Sequence, residues 1–472
     1  MKKASLSSAD AGLRRKPGGQ AAGTAVPAGV LADPVENEFQ RLKTAIHGEL
    51  IESLDLSRIG TMDEPRLRTH IWKTAEALLR SRRESLSAVD EERLIDELMA
   101  ESFGLGPLEP YMQDPDVTDI MVNGPYEVYV ERLGRLQETN TVFADDQHLL
   151  QIIQRVVGRV GRRIDTQNPM VDARLPDGSR VNAVIPPLSL NGPSLSIRRF
   201  GHTPLDMSRL MAYGSICPAI VAFLKTVVEG RANLMISGGA GSGKTTLLNN
   251  LSAFVPADER LVSVEDSAEL QLQRKHVVRL ETRIANFEGQ GEIRPRDLVR
   301  NALRMRPDRI ILGEVRGEEA LDMLQAMNTG HEGSLTTIHA NDARDALSRL
   351  EVMVNMAGFE LPVSVVRQYI ASAITILVHL ARLKGGVRRV MRVAEITGLH
   401  NGDYQIQDIF RFQQQGLDEQ GQAKGRFYAT GNIPVVRRRL HEVGIEVPEE
   451  WFEQRPLDTL PLDEPSSPEV VA

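Results

Sequence analysis

The spacing of apolar positions changes several times along the chain. From Val35 to Leu54 they fall at Val35, Phe39, Leu42, Ile46, Leu50 and Leu54, steps of three and four that place them on one face of a helix. Two more helices are predicted near 64–82 and 88–103, where Leu, Ala, Glu and Arg dominate. At Gly104 the pattern turns strand-like. Ile120-Met121-Val122, Val128-Tyr129-Val130 and Arg135-Leu136 are short runs separated by the turn residues Asn123-Gly124-Pro125 and Gly134. A helix over 146–162 and strands over 181–185 and 195–198 complete a small α/β module, which ends at a hinge-like Phe200-Gly201-His202-Thr203-Pro204. After two further helices, short apolar strands over 234–236, 261–264, 310–312 and 334–338 alternate with helices. That alternation predicts a mostly parallel sheet covered on both faces. The region 388–430 returns to strands.

A chain of 472 residues exceeds one ordinary core. The expected organisation is a tail over 1–33, a helical segment over 34–103, a small α/β domain over 104–204, a larger α/β domain over 205–440 and an acidic tail over 441–472. The first tail is rich in Ala, Gly, Ser and Pro, with a basic Arg14-Arg15-Lys16. The last, acidic and proline-containing, is expected to fray from about residue 446. Hydrophobic residues at 41% and charged residues at 25% suit a globular protein. The net charge of −8 and an aromatic content of only 4% count against a dedicated nucleic-acid binder. One cysteine, Cys217, permits no intramolecular disulfide, fits a reducing cytosol, and reads as a small buried residue. No apolar run follows the basic start, so no secretory signal is expected. The longest apolar stretch, around 373–380, falls far short of the ~20 residues that span a bilayer. The expected location is therefore cytoplasmic, with any membrane role exercised through a partner.

Gly238-Gly239-Ala240-Gly241-Ser242-Gly243-Lys244-Thr245 matches G-x-x-x-x-G-K-[ST], between a predicted strand and a predicted helix that begins with Lys244, Thr245 and Thr246. Glycines let the backbone curl with its N–H groups turned inward around phosphate, and the helix start adds its positive end. Lys244 is expected to reach the β- and γ-phosphates of ATP, and the Thr245 hydroxyl to ligate Mg²⁺. Hydrolysis needs a carboxylate that orients or deprotonates water. Glu314 supplies one at the C-terminal end of an apolar strand, where ligands gather in open α/β sheets. An Asp usually precedes such a Glu and supports the metal shell. Here Gly313 stands in that place, so Glu265 and Asp266, ending the preceding strand, are expected to take over the metal's acidic support, with Glu269 close by. Gly330 to Asn341 puts His339 at the end of another strand and His331 in the loop before it. Their spacing and neighbours do not suit zinc.

Together these elements resemble the secretion ATPase superfamily, the hexameric motors of type II and type IV secretion and of type IV pili. Glu265-Asp266 resembles its acidic box, Gly313-Glu314-Val315-Arg316 its Walker B motif, and Gly330 to Asn341 its histidine box. Gly104 to Pro110, Asp116 to Gly124 and Arg174 to Arg180 are similar to the N-terminal domain of the CpaF-type pilus-assembly ATPases. The resemblance covers about 90–435. It implies a RecA-like P-loop motor domain, with Glu314, Glu265, Arg316, His331 and His339 in the catalytic set. It also implies that arginines of the small domain complete the site: Arg180, and Arg198 or Arg199. Implied too are a homohexamer, inner-membrane platform proteins as partners, docking at the inner face of that membrane, and assembly of Flp-type pili. A conjugation-like type IV secretion motor is the alternative. A nucleic-acid translocase and a non-hydrolysing scaffold are the competing classes.

Overall fold

The computed structural model describes residues 64–81 and 87–457, apart from Leu133, 201–204, Gln273, Ile284 and 286–289, together with six helical positions between Phe39 and Glu49. The expected tail 1–33, most of the helix expected over 35–54, the end of the hinge-like segment and residues 458–472 lie outside the described residues. The chain divides into two compact units, Met1–Pro107 and Leu108–Ala472.

In the first unit, α1 (Glu64–Ser81) and α2 (Ala88–Phe103) pack together. Ser87 caps α2 by accepting the Asp90 amide at 3.1 Å, and Asp90 and Glu91 suit the positive end of the helix. Phe39, Leu42 and Ile46 are buried in one cluster with Ala75, Leu79, Leu94, Ile95 and Leu98. The apolar stripes of this unit therefore cover one another.

The second unit opens with a short α3 (Glu109–Gln113) and then β1 (Val117–Val122), β2 (Val128–Arg132), β3 (Arg135–Glu138), α4 (Asp146–Arg159), β4 (Met170–Arg174), β5 (Arg180–Val184) and β6 (Ser194–Arg198). The strands form an antiparallel sheet in the order β3-β2-β1-β6-β5-β4. One face buries Ile120, Val122, Val181, Ala183, Leu195 and Ile197, and α4 buries Leu149, Ile152, Ile153, Val156 and Val157. Period-two alternation accounts for the sheet and period 3.6 for the helix. The other face carries a charged row, because Asp119 stands opposite Arg198, Arg198 opposite Arg180, and Arg180 opposite Arg174.

The rest of the unit runs α5 (Met207–Ala212), α6 (Pro218–Glu229), β7 (Leu234–Gly238), α7 (Lys244–Ser252), β8 (Leu261–Glu265), β9 (Val277–Glu281), α8 (Pro295–Ala302), β10 (Arg309–Val315), α9 (Glu319–Asn328), β11 (Leu335–His339), α10 (Ala343–Met356), α11 (Val363–Ala373), β12 (Ile376–Arg382), β13 (Arg388–His400), β14 (Asp403–Leu417), β15 (Ala423–Ala429), α12 (Val436–Glu442) and β16 (Arg455–Pro456). A ten-stranded sheet has the order β16-β15-β14-β13-β12-β7-β11-β10-β8-β9. The segment from β12 to β9 is parallel, and β13 to β16 extend it antiparallel. With β7, β8, β10, β11 and β12 counted in sequence, the parallel core reads 5-1-4-3-2, the order of a RecA-like P-loop domain. Leu234 and Ile236 enter one core with Phe223 and Leu248, while Met235 enters the other with Leu312 and Leu324. A strand buried on both faces reads as a continuous apolar run, which is how β7 reads in the sequence. Among the described residues no helix is long and apolar enough to cross a membrane.

Beyond 440 the chain departs from the expected fraying. Val447 is 2% and Phe452 0% exposed, and the Phe452 ring packs at 5.7 Å from Phe223 and 6.1 Å from Phe410. β16 then pairs with β15. A few apolar anchors hold this acidic stretch down, and average composition hides them.

Candidate functional site

The loop between β7 and α7 owes its shape to glycines. A Cβ on Gly238 would lie 2.5 Å from both Leu380 O and Ser242 Oγ, and Gly243, at φ +98°, caps α7 in a conformation that L side chains rarely adopt. The Ser242 hydroxyl is buried with no hydrogen-bond partner among the described residues. Lys244 Nζ donates to Gly238 O at 3.0 Å and Gly239 O at 3.1 Å. Burial pushes its pKa down, and the charges acting on it come from Glu314, Arg198, Arg316 and Glu269. The loop thus gathers side chains from both sheets. Curled backbone, a helix start, an orphaned hydroxyl and a partly dehydrated ammonium fit a phosphate-bearing ligand.

Glu314 sits on a β-bulge. Leu312 pairs with Thr336 and Val315 with Ile338, so one residue of β10 is left over between them. Thr337 Oγ1 donates to Gly313 O at 2.7 Å in place of a ladder bond. Arg316 donates from Nε (3.0 Å) and Nη2 (2.7 Å) to one oxygen of Glu314, and its Nη1 lies 3.2 Å from Asp266. Burial lowers the Arg316 pKa, but pairing with Glu314 and Asp266 outweighs it, and the net shift is upward. Glu319 holds the backbone in place by accepting the amides of Arg316 and Gly317 at 2.6 and 2.9 Å.

Gly313 is explained by its neighbour strand. A Cβ there would lie 3.3 Å from Glu265 Cγ, so the absent side chain makes room for Glu265. The Glu265 carboxylate is 3% exposed and accepts the Leu270 amide at 2.7 Å, with Arg279 3.6 Å away. Burial is the largest influence on it and raises its pKa. Among the described residues its side-chain hydrogen bonds and ion pair run to Ser263, Leu270 and Arg279 and not to Thr245. Among the described residues no group of three or more His, Cys, Asp or Glu is arranged to hold a metal. A nucleotide-bound Mg²⁺ needs fewer protein ligands, since phosphate and water fill most of its shell.

The charged row of the small sheet meets the loop after the acidic box and the end of β9. Arg174 reaches Glu281 at 2.5 Å and Ala268 O at 2.8 Å, and Arg180 pairs with Glu269 at 2.9 Å. The next in the row, Arg198, is exposed and has no carboxylate within 4.0 Å among the described residues; its charge acts on Lys244. Like charges on facing strand positions repel unless something compensates. Two of these arginines have carboxylates, and the third faces the phosphate loop.

Two expected members are not brought to the loop within this chain. Arg199 is the first: its guanidinium donates to the carbonyls of Asp114, Val117 and Met112 inside the small domain, so of the pair Arg198/Arg199 only Arg198 faces the motor side. His331 is the second. His339 ends β11 in register with Gly238, where the loop starts, whereas His331 precedes β11 at the opposite edge of the sheet. At ~3.3 Å per residue, a five-residue strand separates the two by about 16 Å. Sequence reading also missed Arg382 and Arg388. Arg388 Nε donates to Gly241 O at 2.8 Å across 147 positions of chain, and no local pattern marks it. A cavity of about 500 Å³ opens beside Arg316, lined by Asp266, Arg294, Arg296, Glu318 and Met356. It flanks the acidic side of the site and not the phosphate loop.

A family model described as type II/IV secretion system protein matches residues 101–443. A putative conjugal transfer protein of Mycobacterium tuberculosis is 39% identical over 318 residues, covering 66% of this chain and 89% of that protein. The type IV secretion system protein VirB11 of Brucella suis is 30% identical over 319 residues, covering 62% and 88%. The crystal structure of a Brucella suis VirB11 ATPase in complex with sulphate aligns at 29% identity with a TM-score of 0.34, covering 62% of this chain and 97% of that one. With the family model spanning well over half of its length, this chain belongs to the type II/IV secretion system protein family.

Proposed function

We propose that this protein is an ATP-hydrolysing motor for a secretion or pilus machine. The observation that carries the reading is the glycine-rich turn from β7 into α7, with the Ser242 hydroxyl buried and unpartnered among the described residues and Lys244 folded onto the carbonyls of its own loop. In this reading Gly238 to Thr245, with Thr246, hold the triphosphate, and Lys244 balances its charge. Thr245, with Glu265 in support, would hold Mg²⁺, which would neutralise charge on the phosphate oxygens. Glu314 orients and deprotonates the attacking water. Arg316, bound to one of its oxygens and to Asp266, leaves the other oxygen for that water. Charge grows on the γ-phosphoryl oxygens in the transition state, and Arg198 and Arg180 answer it from the small sheet. His339, beside Gly238, completes the set. Because the small sheet supplies those arginines, turnover and movement of that sheet are coupled.

The stretches Gly104–Pro110, Asp116–Gly124 and Arg174–Arg180 support assembly of Flp-type pili by a CpaF-like homohexamer. That motor would dock on platform proteins at the cytoplasmic face of the inner membrane, without binding nucleic acid. The second reading, a type IV secretion motor, is favoured by the conjugal transfer and VirB11 relatives. Phosphate release by the purified protein tests the enzyme: turnover is expected, and none should remain in Lys244→Ala. Equal rates in the two would defeat the reading. A deletion strain that loses surface pili favours the first machine, and one that keeps pili but loses transfer of DNA or protein favours the second.

A further inference from the structure

The hairpin between β12 and β13 lays two more cations against the phosphate loop than the reaction above employs. Arg388 opens β13, and its Nε holds Gly241 O at 2.8 Å. The Cβ that Gly243 lacks would stand 3.7 Å from Arg388 Cδ. Arg382 closes β12. Its Nη1 lies 3.5 Å from the Cβ that Gly241 lacks, while its Nη2 donates to Gly134 O at 2.6 Å and pairs with Glu131 at 3.3 Å. Gly134 and Glu131 belong to the β2–β3 hairpin of the small sheet, so Arg382 ties that hairpin to the phosphate loop across about half the chain.

Charge decides what this arrangement is for. Clasping Gly241 O takes one N–H group and no net charge. Arg388 nonetheless brings a full guanidinium into a half-buried place, and among the described residues no carboxylate lies within 4.0 Å of it. Desolvation and the neighbouring Arg382 both work against its charged form. Lys244, Arg198, Arg382 and Arg388 thus lie about one loop; among the described residues Glu131 is the one carboxylate in ion-pair contact with any of them, while Glu314 and Glu269 act on Lys244, and Asp119 on Arg388, from farther off. Gathering like charges in a partly dehydrated place is unfavourable unless an anion joins them. A polyphosphate on the loop is that anion.

We propose that Arg388 binds the nucleotide's phosphates, and that Arg382 is a positioning residue that reports a loaded loop to the small sheet by exchanging Glu131 for phosphate. The proposal rests on the ATPase reading and adds residues to it. When the triphosphate is on the loop, Arg382 turns to it and the β2–β3 hairpin loosens. When phosphate leaves, the Glu131 pair re-forms. The small sheet then senses the nucleotide twice, through its own Arg198 and through a residue of the motor sheet.

The test uses the full-length protein and a fluorescent ATP analogue, with Lys244→Ala as the control for loop binding. Arg388→Gln keeps an N–H within reach of Gly241 O and removes the charge. It is expected to weaken ATP binding about tenfold, the order of one charge-assisted contact, while unfolding without nucleotide at the wild-type temperature. Arg388→Lys should recover part of that loss. Arg382→Ala is expected to keep KM near wild type and lower kcat. It should also abolish the nucleotide-dependent change in hydrogen exchange over residues 128–138. Wild-type affinity in Arg388→Gln, with binding lost in Lys244→Ala, overturns the Arg388 assignment and leaves the ATPase reading intact. An unchanged exchange response in Arg382→Ala overturns the relay. Failure of the wild type itself to bind ATP removes the reading on which both stand.

Discussion

The two edges of the parallel sheet handle polar groups in opposite ways. At the edge where the strands begin, charge is tied up internally. Arg309 is fully buried, with its guanidinium on Glu259, on Val228 O and on Gly333 O; Arg231 pairs with the same Glu259 at 3.1 Å. Asn233 accepts the amides of Gly333 and Ser334 at 2.8 and 3.1 Å and donates to Met327 O and Ala373 O. His331 Nδ1, by contrast, is buried there with no hydrogen-bond partner among the described residues. At the edge where the strands end, the Ser242 hydroxyl is orphaned, Lys244 rests on the carbonyls of its own loop, and Arg198 and Arg388 lack carboxylates. A satisfied network holds strands in place. Groups held short of partners at a partly desolvated loop are arranged for something that arrives from outside.

Substitutions at the two edges should therefore fail in different ways. The largest effect is expected from Glu314→Gln, which should lower phosphate release by about 10²–10⁴-fold while ATP binding and unfolding temperature stay near wild type. Undiminished turnover would put the base elsewhere. Arg309→Ala, at the other edge, should lower stability by about 3–5 kcal/mol in denaturant titrations, because it leaves Glu259 buried and short of its main partner. Turnover per folded molecule should be preserved; selective loss of catalysis in a stable protein would erase the contrast.

Glu265→Gln sharpens the comparison through pH. Burial raises the Glu265 pKa in the folded state, so its contribution to stability is present in acid and lost as pH rises through that folded value. Gln cannot ionise but can still accept the Leu270 amide. The variant should therefore gain a few degrees of unfolding temperature relative to wild type at pH 8, and gain less or nothing at pH 4.5. An equal shift at both pH values would mean that ionisation of Glu265 is not what costs stability. The smallest effect is expected at His331: His331→Asn should change turnover by less than about twofold, the scale of a surface-like change in rate, while His339→Asn lowers it more. The reverse order would return His331 to the site.

What the sequence revealed divides along the same lines. The phosphate loop was legible because eight consecutive residues carry it, and Glu314 because it ends a short apolar strand. The arginine row was half legible. Arg180, and Arg198 or Arg199, came only with the family resemblance, and the choice between Arg198 and Arg199 needed the strand's alternation to be fixed by pairing with β5. Arg382 and Arg388 were illegible, because a β-hairpin more than a hundred residues downstream presents them to the loop. His331 was legible as a loop residue ahead of the strand that His339 ends, and only the resemblance put the two in one catalytic set. The five-residue strand between the two histidines is what carries them apart. β4 and β9 escaped notice too, since both are short and neither buries a regular face. The stretch from 446 to 457 was lost in its acidic surroundings, although Val447, Trp451 and Phe452 mark its inward side.

Glycine at 313 has a consequence for recognising such sites. Position 313 in β10 and the last residue of β8 contend for the same space, since a Cβ at 313 would stand 3.3 Å from Glu265 Cγ. This chain uses β8, so a pattern written along a single strand finds a gap where the folded protein has none. The two positions form one locus, and a substitution at either is read correctly only with the identity of the other in hand.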